Sequence, residues 1–393
     1  MRKIIALLLC FVLIASFGIA SFAYSDTYFL AEVDDTIVEN KTPELDIDAK
    51  SALLMEADTG KILYGKNIEA SLAPASVTKI MTLLLACEAL EDGCFTLDTK
   101  VRISEVAAAM GGSQVFLEEG EEITVEELFK STVIASANDS AAALAELVSG
   151  SVEAFVSKMN AKAMELSLKS THFENVTGLD DTTVNHVMSA YDIAIISREL
   201  LKYSIITKYS SLWQDSIRGG EFILTNTNRL VRYYDGCNGL KTGSTDKAGF
   251  CISATACRDG MQLIAVVMGA PTRDSRNASA KRLLDLGFSS YSLHTFDEEY
   301  LERVEVGFGK TESLPLYSAP FKALTEKGAK IERKYDIPST LTAPIYAGEA
   351  VGSVKYYLGD KLIGESTIYA KENAEELSFF ELFLKMLGAP FRR

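Results

Sequence analysis

A serine and a lysine three positions apart, Ser76 and Lys79, are the residues of this chain best suited to covalent chemistry. At that spacing two side chains share one face of a helix. The run after Lys79, residues 80–90, is apolar almost all round, which predicts a buried helix, and Pro74 stands where helices begin. Burial favours the neutral amine of a lysine, and a helix N-terminus favours negative charge on a serine oxygen. The pattern predicts a serine nucleophile with a lysine as its base.

Two companion motifs decide between this hypothesis and the ordinary interpretation, in which Ser76 only caps a helix. Ser-x-x-Lys occurs again at residues 244–247, so the motif alone has little specificity. The companions are Ser136-Ala137-Asn138 and, later in the chain, Lys241-Thr242-Gly243. Ser-x-Asn also recurs at residues 275–277, and a single Lys-Thr-Gly could be an exposed turn. The order of all three motifs, with the third expected to open a strand, indicates a catalytic site.

The elements around these motifs predict a sheet that is interrupted by a helical insert. Two strand pairs are predicted, over residues 51–57 with 61–64 and over residues 250–256 with 262–268. Between the pairs, residues 104–205 are rich in the apolar spacing of helices. A helix predicted at residues 278–286, ending at Gly287, closes this domain.

The last hundred residues have a different texture. Short alternating runs from about residue 293 to residue 370 predict a small all-β domain. The final stretch has a wide apolar face and a narrow polar stripe of Ser378, Glu381 and Lys385. Such an amphipathic helix suits either a membrane interface or docking on the protein's own body, and the sequence leaves both interpretations open.

The composition indicates an exported protein of more than one domain. The chain has 393 residues, 48% of them hydrophobic, and a formal net charge of −15, which argues against nucleic-acid binding and against attraction to anionic lipid. A basic start, an apolar run and the residues Ser21-Phe22-Ala23 predict a signal peptide cut after Ala23, or else an uncleaved membrane anchor. The six cysteines and three histidines match no metal-ligand spacing, so neither a metal nor a cofactor is predicted.

The three motifs together resemble those of the penicillin-binding protein and serine β-lactamase superfamily. The surrounding phrases are similar to the D-alanyl-D-alanine carboxypeptidases of low molecular mass, at residues 72–82, 173–179, 225–230 and 235–250. This resemblance implies an α+β fold: a β-lactamase/transpeptidase-like domain with an antiparallel sheet and a helical subdomain, then a small all-β domain and a C-terminal amphipathic helix. The domain prediction is a signal peptide at residues 1–23, a flexible lead-in at 24–42, a serine D,D-peptidase catalytic domain at 43–290, a small β domain at 291–371 and an amphipathic helix at 372–393.

The resemblance assigns a catalytic role to five residues, one of which, Lys241, is also assigned to substrate binding. Ser76 would attack the carbonyl between two terminal D-alanines and form an acyl-enzyme, with Lys79 as its base. Ser136 would hydrogen-bond Lys79 and relay a proton to the leaving amine. Asn138 would hold either the Lys79 ammonium or the substrate amide. The implied activity is removal of the terminal D-alanine from peptidoglycan stem pentapeptides.

The resemblance also assigns residues to substrate binding. Lys241 would favour the serine alkoxide and attract the terminal carboxylate, and Thr242 would donate a hydroxyl to that carboxylate. Gly243 would let the strand approach the substrate closely. The backbone N–H groups of the nucleophile and of Ser244 would form the oxyanion hole. Arg276 would help to bind the carboxylate.

The implied partners are stem peptides ending in D-Ala-D-Ala and β-lactam antibiotics, and the implied location is the outer face of the cytoplasmic membrane, bound through the C-terminal helix. Two positions depart from the family pattern: Ser244 stands where some relatives have histidine, and Thr227 where some have arginine. Arg229 could substitute for that arginine. The alternatives are a class A-like β-lactamase, which has aspartate where this chain has Ala137, and a catalytically silent cell-wall-binding protein.

Overall fold

The computed structural model describes residues 45–388 of the chain. The predicted signal peptide and lead-in, residues 1–42, lie outside the described residues, as do residues 389–393. Within the described part, no helix is both long and apolar enough to cross a membrane.

The elements are numbered along the chain. The strands of the first part are β1 (Ser51–Glu56), β2 (Ile62–Lys66), β3 (Lys100–Arg102), β4 (Glu122–Thr124), β5 (Gln214–Ile217), β6 (Phe222–Thr225), β7 (Cys237–Thr245), β8 (Gly249–Arg258) and β9 (Met261–Ala270). The helices of this part are α1 (Lys79–Glu91), α2 (Glu105–Ala108), α3 (Val125–Ile134), α4 (Asn138–Ser149), α5 (Val152–Glu165), α6 (Ala190–Leu200), α7 (Ser204–Ser210), α8 (Leu230–Tyr233) and α9 (Arg273–Ser290).

A five-stranded antiparallel sheet with the order β2-β1-β9-β8-β7 is the centre of this part, so strands from the two ends of the region meet as predicted. Both of its faces are buried, because α6 packs on one face and α9 on the other. On β9, Ile264 and Val266 belong to the core of the helical insert, whereas Leu263 and Ala265 pack in the core under α9. Burial on both faces explains why these strands are apolar throughout.

The helix that follows the Ser76 motif lies in the middle of the helical insert. α1 contacts α4, α5 and α6, and its residues from Lys79 to Cys87 are all buried. This is the environment that an all-round apolar helix requires. The Ser76 motif is therefore attached to a helix that is packed on several sides.

Two sequence-based predictions about element ends are wrong. Lys241 does not open a strand, because β7 starts four residues earlier at Cys237. The predicted helix end at Gly287 is also wrong, since α9 continues to Ser290. A Cβ at Gly287 would lie 2.4 Å from Cδ1 of Leu263, so this glycine allows close packing of helix on sheet.

The second part of the fold is all-β with a short terminal helix. Its strands are β10 (Tyr291–Phe296), β11 (Glu299–Gly307), β12 (Ser313–Ser318), β13 (Phe321–Glu326), β14 (Ile331–Asp336), β15 (Thr340–Thr342), β16 (Ala350–Leu358) and β17 (Lys361–Ala370). Six of them form a sheet with the order β14-β16-β17-β12-β11-β15, and β10 pairs with β13. This part has its own hydrophobic core, which includes Leu316, Tyr356 and Ile368.

The terminal helix α10 (Phe379–Met386) presents its apolar side chains to solvent. Phe379 is 86% exposed, Phe383 50% and Met386 81%. Ser378, at one end of the predicted polar stripe, caps the helix in a capping box with Glu381.

Candidate active site

Ser76 lies in a 3-10 turn, Ala75–Thr78, that leads directly into α1. The turn is unusual because Ala75 has a φ of 48°, a left-handed conformation that non-glycine residues rarely adopt. Ser76 itself is partly exposed, whereas its neighbours in the turn are buried. The turn therefore leaves the hydroxyl of Ser76 accessible, while the residues on either side of it are packed in the interior.

Lys79 is the first residue of α1, and its side chain is fully buried. Its Nζ lies 3.1 Å from Oγ of Ser76 and donates a hydrogen bond of 2.9 Å to the carbonyl of Thr177. Burial, helped by the positive charge of Lys241, holds the pKa of the Lys79 amine well below its usual value. A neutral amine at this distance can accept the proton of the serine hydroxyl.

A second serine and lysine form a parallel pair. Nζ of Lys241 donates to Oγ of Ser136 at 2.8 Å and to the carbonyl of Thr242 at 2.9 Å. Burial, together with the charge of Arg276, lowers the pKa of Lys241 to about 7. Among residues 45–388, no hydrogen bond joins Ser136 to Lys79, so the expected contact between them is replaced by the contact with Lys241.

Gly243 brings the two pairs together. The strand β7, which carries Lys241, runs beside the Ser76 turn. A Cβ at Gly243 would lie 2.7 Å from the backbone N of Ser76 and 2.9 Å from the carbonyl O of Pro74. Only glycine allows this approach without a shift of the backbone. The next residue, Ser244, is exposed beside the turn.

Further polar and cationic groups lie near Lys241. Thr242 donates a hydrogen bond of 2.8 Å from its hydroxyl to that of Thr227, the position where some relatives have arginine. Arg276 is buried, and its guanidinium donates to Oδ1 of Asn277 and, at 3.5 Å, to the carbonyl of Cys251. No carboxylate pairs with Arg276 within the described residues. Burial lowers its pKa to about 10, as do nearby arginines, but it stays cationic.

Asn138 is buried at the start of α4, where it holds a loop. Its Nδ2 donates to the carbonyl of Gly111 at 2.6 Å, and its Oδ1 is buried with no hydrogen-bond partner among residues 45–388. In the part of the chain that the structure describes, no hydrogen bond joins Asn138 to Nζ of Lys79. An acceptor without a partner is costly to bury, so Oδ1 is available to a donor that enters the site.

Two supporting groups were missed in the sequence. Thr177 acts through its backbone carbonyl, which leaves no signal in the choice of side chain. Asp139 is buried beside Asn138 and accepts hydrogen bonds from the backbone N–H groups of Val115 and Leu117. A carboxylate at the start of an otherwise apolar helix is a signal that could have indicated it. Across residues 45–388, no cluster of three or more His, Cys, Asp and Glu side chains could hold a metal ion.

Comparisons with known proteins agree with the motifs. The family profile of the D-alanyl-D-alanine carboxypeptidases matches residues 37–272, and that of the C-terminal domain of penicillin-binding protein 5 matches residues 288–376. The chain is 42% identical over 397 residues to the D-alanyl-D-alanine carboxypeptidase DacF of Bacillus subtilis, covering 99% of this chain and 98% of that protein. It is 31% identical over 366 residues to DacA of Escherichia coli, covering 89% and 90%.

Solved structures give the same result. Penicillin-binding protein 5 of Haemophilus influenzae matches with a TM-score of 0.72 and 30% identity, over 84% of this chain and 99% of that one. Penicillin-binding protein D2 of Listeria monocytogenes, in its ampicillin-bound form, matches with a TM-score of 0.58 and 28% identity, over 63% and 99%. By sequence and by fold, this chain belongs to the D-alanyl-D-alanine carboxypeptidase family, the penicillin-binding proteins of low molecular mass.

Proposed function

We propose that this protein is a serine D,D-carboxypeptidase that removes the terminal D-alanine from peptidoglycan stem pentapeptides through an acyl-enzyme on Ser76. The observation that carries the proposal is the pairing of two hydroxyls with two buried lysines, Ser76 with Lys79 and Ser136 with Lys241. Gly243 joins the pairs, because its strand touches the Ser76 turn.

In the acylation step, Oγ of Ser76 bonds to the carbonyl carbon of the penultimate D-alanine, and the C–N bond to the last D-alanine breaks. The neutral amine of Lys79 takes the serine proton. The proton ends on the leaving amine, and Ser136 is the hydroxyl proposed to relay it. Asn138 is proposed to accept a hydrogen bond from the substrate amide through its Oδ1, which has no partner within residues 45–388.

A second group of residues is proposed to bind the substrate carboxylate. Lys241, Thr242 and Arg276 supply a cation, a hydroxyl and a second cation, and Arg276 has no competing carboxylate among residues 45–388. Backbone N–H groups of Ser76 and Ser244 are proposed to stabilise the tetrahedral oxyanion. Water then hydrolyses the ester, which releases the shortened peptide and regenerates Ser76.

We further propose that the protein is exported and works at the outer face of the cytoplasmic membrane. The N-terminal pattern of the sequence supports a signal peptide, and the relatives are carboxypeptidases of the cell wall. The exposed apolar face of α10 supports membrane binding through the C-terminal helix.

The decisive experiment measures D-alanine release from a pentapeptide ending in D-Ala-D-Ala, with Ser76→Ala as the control. We expect release from the wild type only, and equal release from both proteins would remove Ser76 from the mechanism.

The intact mass of the protein after benzylpenicillin treatment distinguishes a carboxypeptidase from a β-lactamase. A carboxypeptidase should keep the adduct for minutes or longer, whereas an adduct that clears within seconds would indicate a β-lactamase.

A further inference from the structure

We infer that His186 is a positioning residue for the catalytic turn: through Thr78 it fixes the peptide unit whose N–H faces the substrate oxyanion. The inference rests on the proposed role of Ser76. His186 belongs to no sequence motif discussed above, and its ring is buried beside that of Phe173, 5.8 Å away in an edge-on arrangement.

The hydrogen bonds assign the tautomer of His186. The backbone N–H of Glu174 donates to Nδ1 at 3.0 Å, so Nδ1 is an acceptor and the proton is on Nε2. Nε2 therefore donates to the hydroxyl of Thr78 at 2.8 Å, and that hydroxyl donates to the carbonyl of Ala75 at 2.9 Å. Three hydrogen bonds in series end on one carbonyl oxygen.

That carbonyl belongs to the peptide unit between Ala75 and Ser76. A peptide unit is planar and trans, so its C=O and N–H point in opposite directions and a hold on the oxygen sets the direction of the N–H. Bonds to the oxygen also polarise the unit and make the N–H a stronger donor. Because this is the proposed oxyanion-hole N–H of Ser76, His186 acts on the group that stabilises the transition state.

Two further features indicate that this peptide unit needs such a hold. Ala75 has a φ of 48°, which an alanine adopts only when its surroundings impose it. Gly178 packs so closely behind the turn that a Cβ there would lie 1.8 Å from the Ala75 carbonyl oxygen. The turn is thus held between the segment at residues 173–186 and β7.

The arrangement requires a neutral imidazole. Burial lowers the pKa of His186 to about 4. Charged and titratable groups around the ring act in both directions: Glu174 and Asp180 raise the pKa, and His172 and Lys247 lower it. Protonation would place a hydrogen on Nδ1, so that this N–H and the N–H of Glu174 would be two donors facing each other. The series of three hydrogen bonds would then be broken.

Four variants separate positioning from simple structural support. His186→Gln keeps a donor near the Nε2 position, whereas His186→Asn keeps an acceptor near Nδ1 but cannot reach Thr78. Thr78→Val removes the hydroxyl at constant shape. Thr82→Val is the matched control, since its hydroxyl is also buried in the same region and holds the same segment through the carbonyl of Val176 at 2.7 Å.

The measurements are the acylation rate constant and the non-covalent binding constant for benzylpenicillin, with the thermal midpoint as the test of folding. We expect Thr78→Val and His186→Asn to lower the rate constant by about tenfold or more with little change in binding, as for a weakened oxyanion-hole donor. His186→Gln and Thr82→Val should stay within about threefold of the wild type.

The inference is overturned if Thr78→Val acylates at the wild-type rate, or if Thr82→Val is slowed as much as Thr78→Val. If either His186 variant fails to fold, the pair Thr78→Val and Thr82→Val still decides the matter. Failure of the proposed function gives a different result, because the wild type itself would then form no adduct at Ser76.

Discussion

Lys79 and Lys241 are both buried, and each faces a serine hydroxyl, yet we propose different tasks for the two lysines. Nζ of Lys79 contacts the hydroxyl of Ser76 and a backbone carbonyl, and neither partner carries a negative charge that would require a charged amine. These contacts suit a neutral amine that acts as a base. Lys241 contacts Ser136 and lies on β7, the strand proposed to bind the substrate carboxylate, where a positive charge is useful. Their mutual repulsion favours a state in which only one of them is charged.

This division predicts a bell-shaped pH dependence of kcat/KM for the pentapeptide. Acidification protonates the Lys79 amine and removes the base, which gives the acid limb. Lys241, with a pKa of about 7, loses its charge as the pH rises, which gives an alkaline limb. In kcat this limb should lie at higher pH, because the bound carboxylate stabilises the ammonium. A kcat/KM that keeps rising to pH 9 would contradict this assignment of the lysines.

Replacement of Lys79 by methionine should abolish acylation and leave the fold intact. The pKa of this lysine is lower in the folded protein than in the unfolded chain, so the unfolded chain binds more protons. The free energy of unfolding of the wild type should therefore rise with pH between the folded pKa and about 10.4. Lys79→Met should lose that rise and keep its thermal midpoint within about 5 °C of the wild type at neutral pH. Benzylpenicillin labelling by intact mass and thermal unfolding across pH test both parts.

Lys66→Met is the control for that variant. Nζ of Lys66 also donates to a backbone carbonyl, that of Ile47 at 2.8 Å, but Lys66 lies on β2, at the opposite edge of the sheet from β7. It should be labelled normally. Labelling of Lys79→Met at the wild-type rate would remove Lys79 as the base.

At the scale of elements, the segment at residues 173–186 is what holds the catalytic turn in place. It supplies a carbonyl to Lys79 and the close contact of Gly178 with Ala75. The chain in this segment is irregular. Several of its hydrogen bonds are internal, such as the one that the N–H of Gly178 donates to Oδ1 of Asn175, and the carbonyl of Thr177 accepts from Lys79 at the start of α1. Its stability and that of the Ser76 turn are therefore coupled.

Gly178→Ala tests this coupling, with Gly150→Ala as its control. Both glycines have positive φ, 83° and 80°, but a Cβ at Gly150 meets nothing within 4 Å, whereas at Gly178 it would lie 1.8 Å from the Ala75 oxygen. Gly150→Ala should cost about 1 kcal/mol of unfolding free energy and leave acylation unchanged. Gly178→Ala should cost more and slow acylation at least about tenfold, because the turn must move. Equal effects of the two substitutions on acylation would argue against the coupling.

At the scale of the whole molecule, the described residues form a catalytic part, with one hydrophobic core on each face of its sheet, and a β part with a core of its own. The family matches at residues 37–272 and 288–376 follow the same division, and α9 lies at the junction, packed on the catalytic sheet. The β part carries α10 at its end, where the backbone N–H of Leu377 donates to the carbonyl of Phe308. Phe308 is itself exposed, so the helix and this loop present apolar side chains at the same place.

This surface leads to a prediction about membrane binding. With a net charge of −15, the protein should bind zwitterionic vesicles through apolar contact, with little dependence on salt. The double substitution Phe380→Asp and Phe383→Asp should lower the partition coefficient by at least about tenfold and leave hydrolysis of a soluble pentapeptide unchanged. Ile223→Asp, at an exposed apolar position of the catalytic part, is the control. Co-sedimentation with vesicles measures the effect, and equal binding of both variants would exclude α10 as the anchor.

Much of the fold and the function could be predicted because the signals are local. The apolar run after Lys79, the alternating strand patterns and the order of the three motifs are each contained in short stretches, and the comparisons confirm the fold class, the family and the enzymatic function. The roles of individual site residues and the domain boundaries remain predictions. The local pattern also gave a wrong prediction at Gly287. A glycine suits the end of a helix, but here it allows α9 to pack tightly on the sheet.

The sequence by itself determined which groups are chemically capable: a hydroxyl and an amine one helical turn apart, whose pairing needs only helix geometry. The tertiary structure decided which partner each remaining group has. It joined Ser136 to Lys241, left Oδ1 of Asn138 without a partner and placed His186 behind the Ser76 turn. These contacts link residues about a hundred positions apart or involve backbone carbonyls, and neither leaves a periodic trace in the order of side chains.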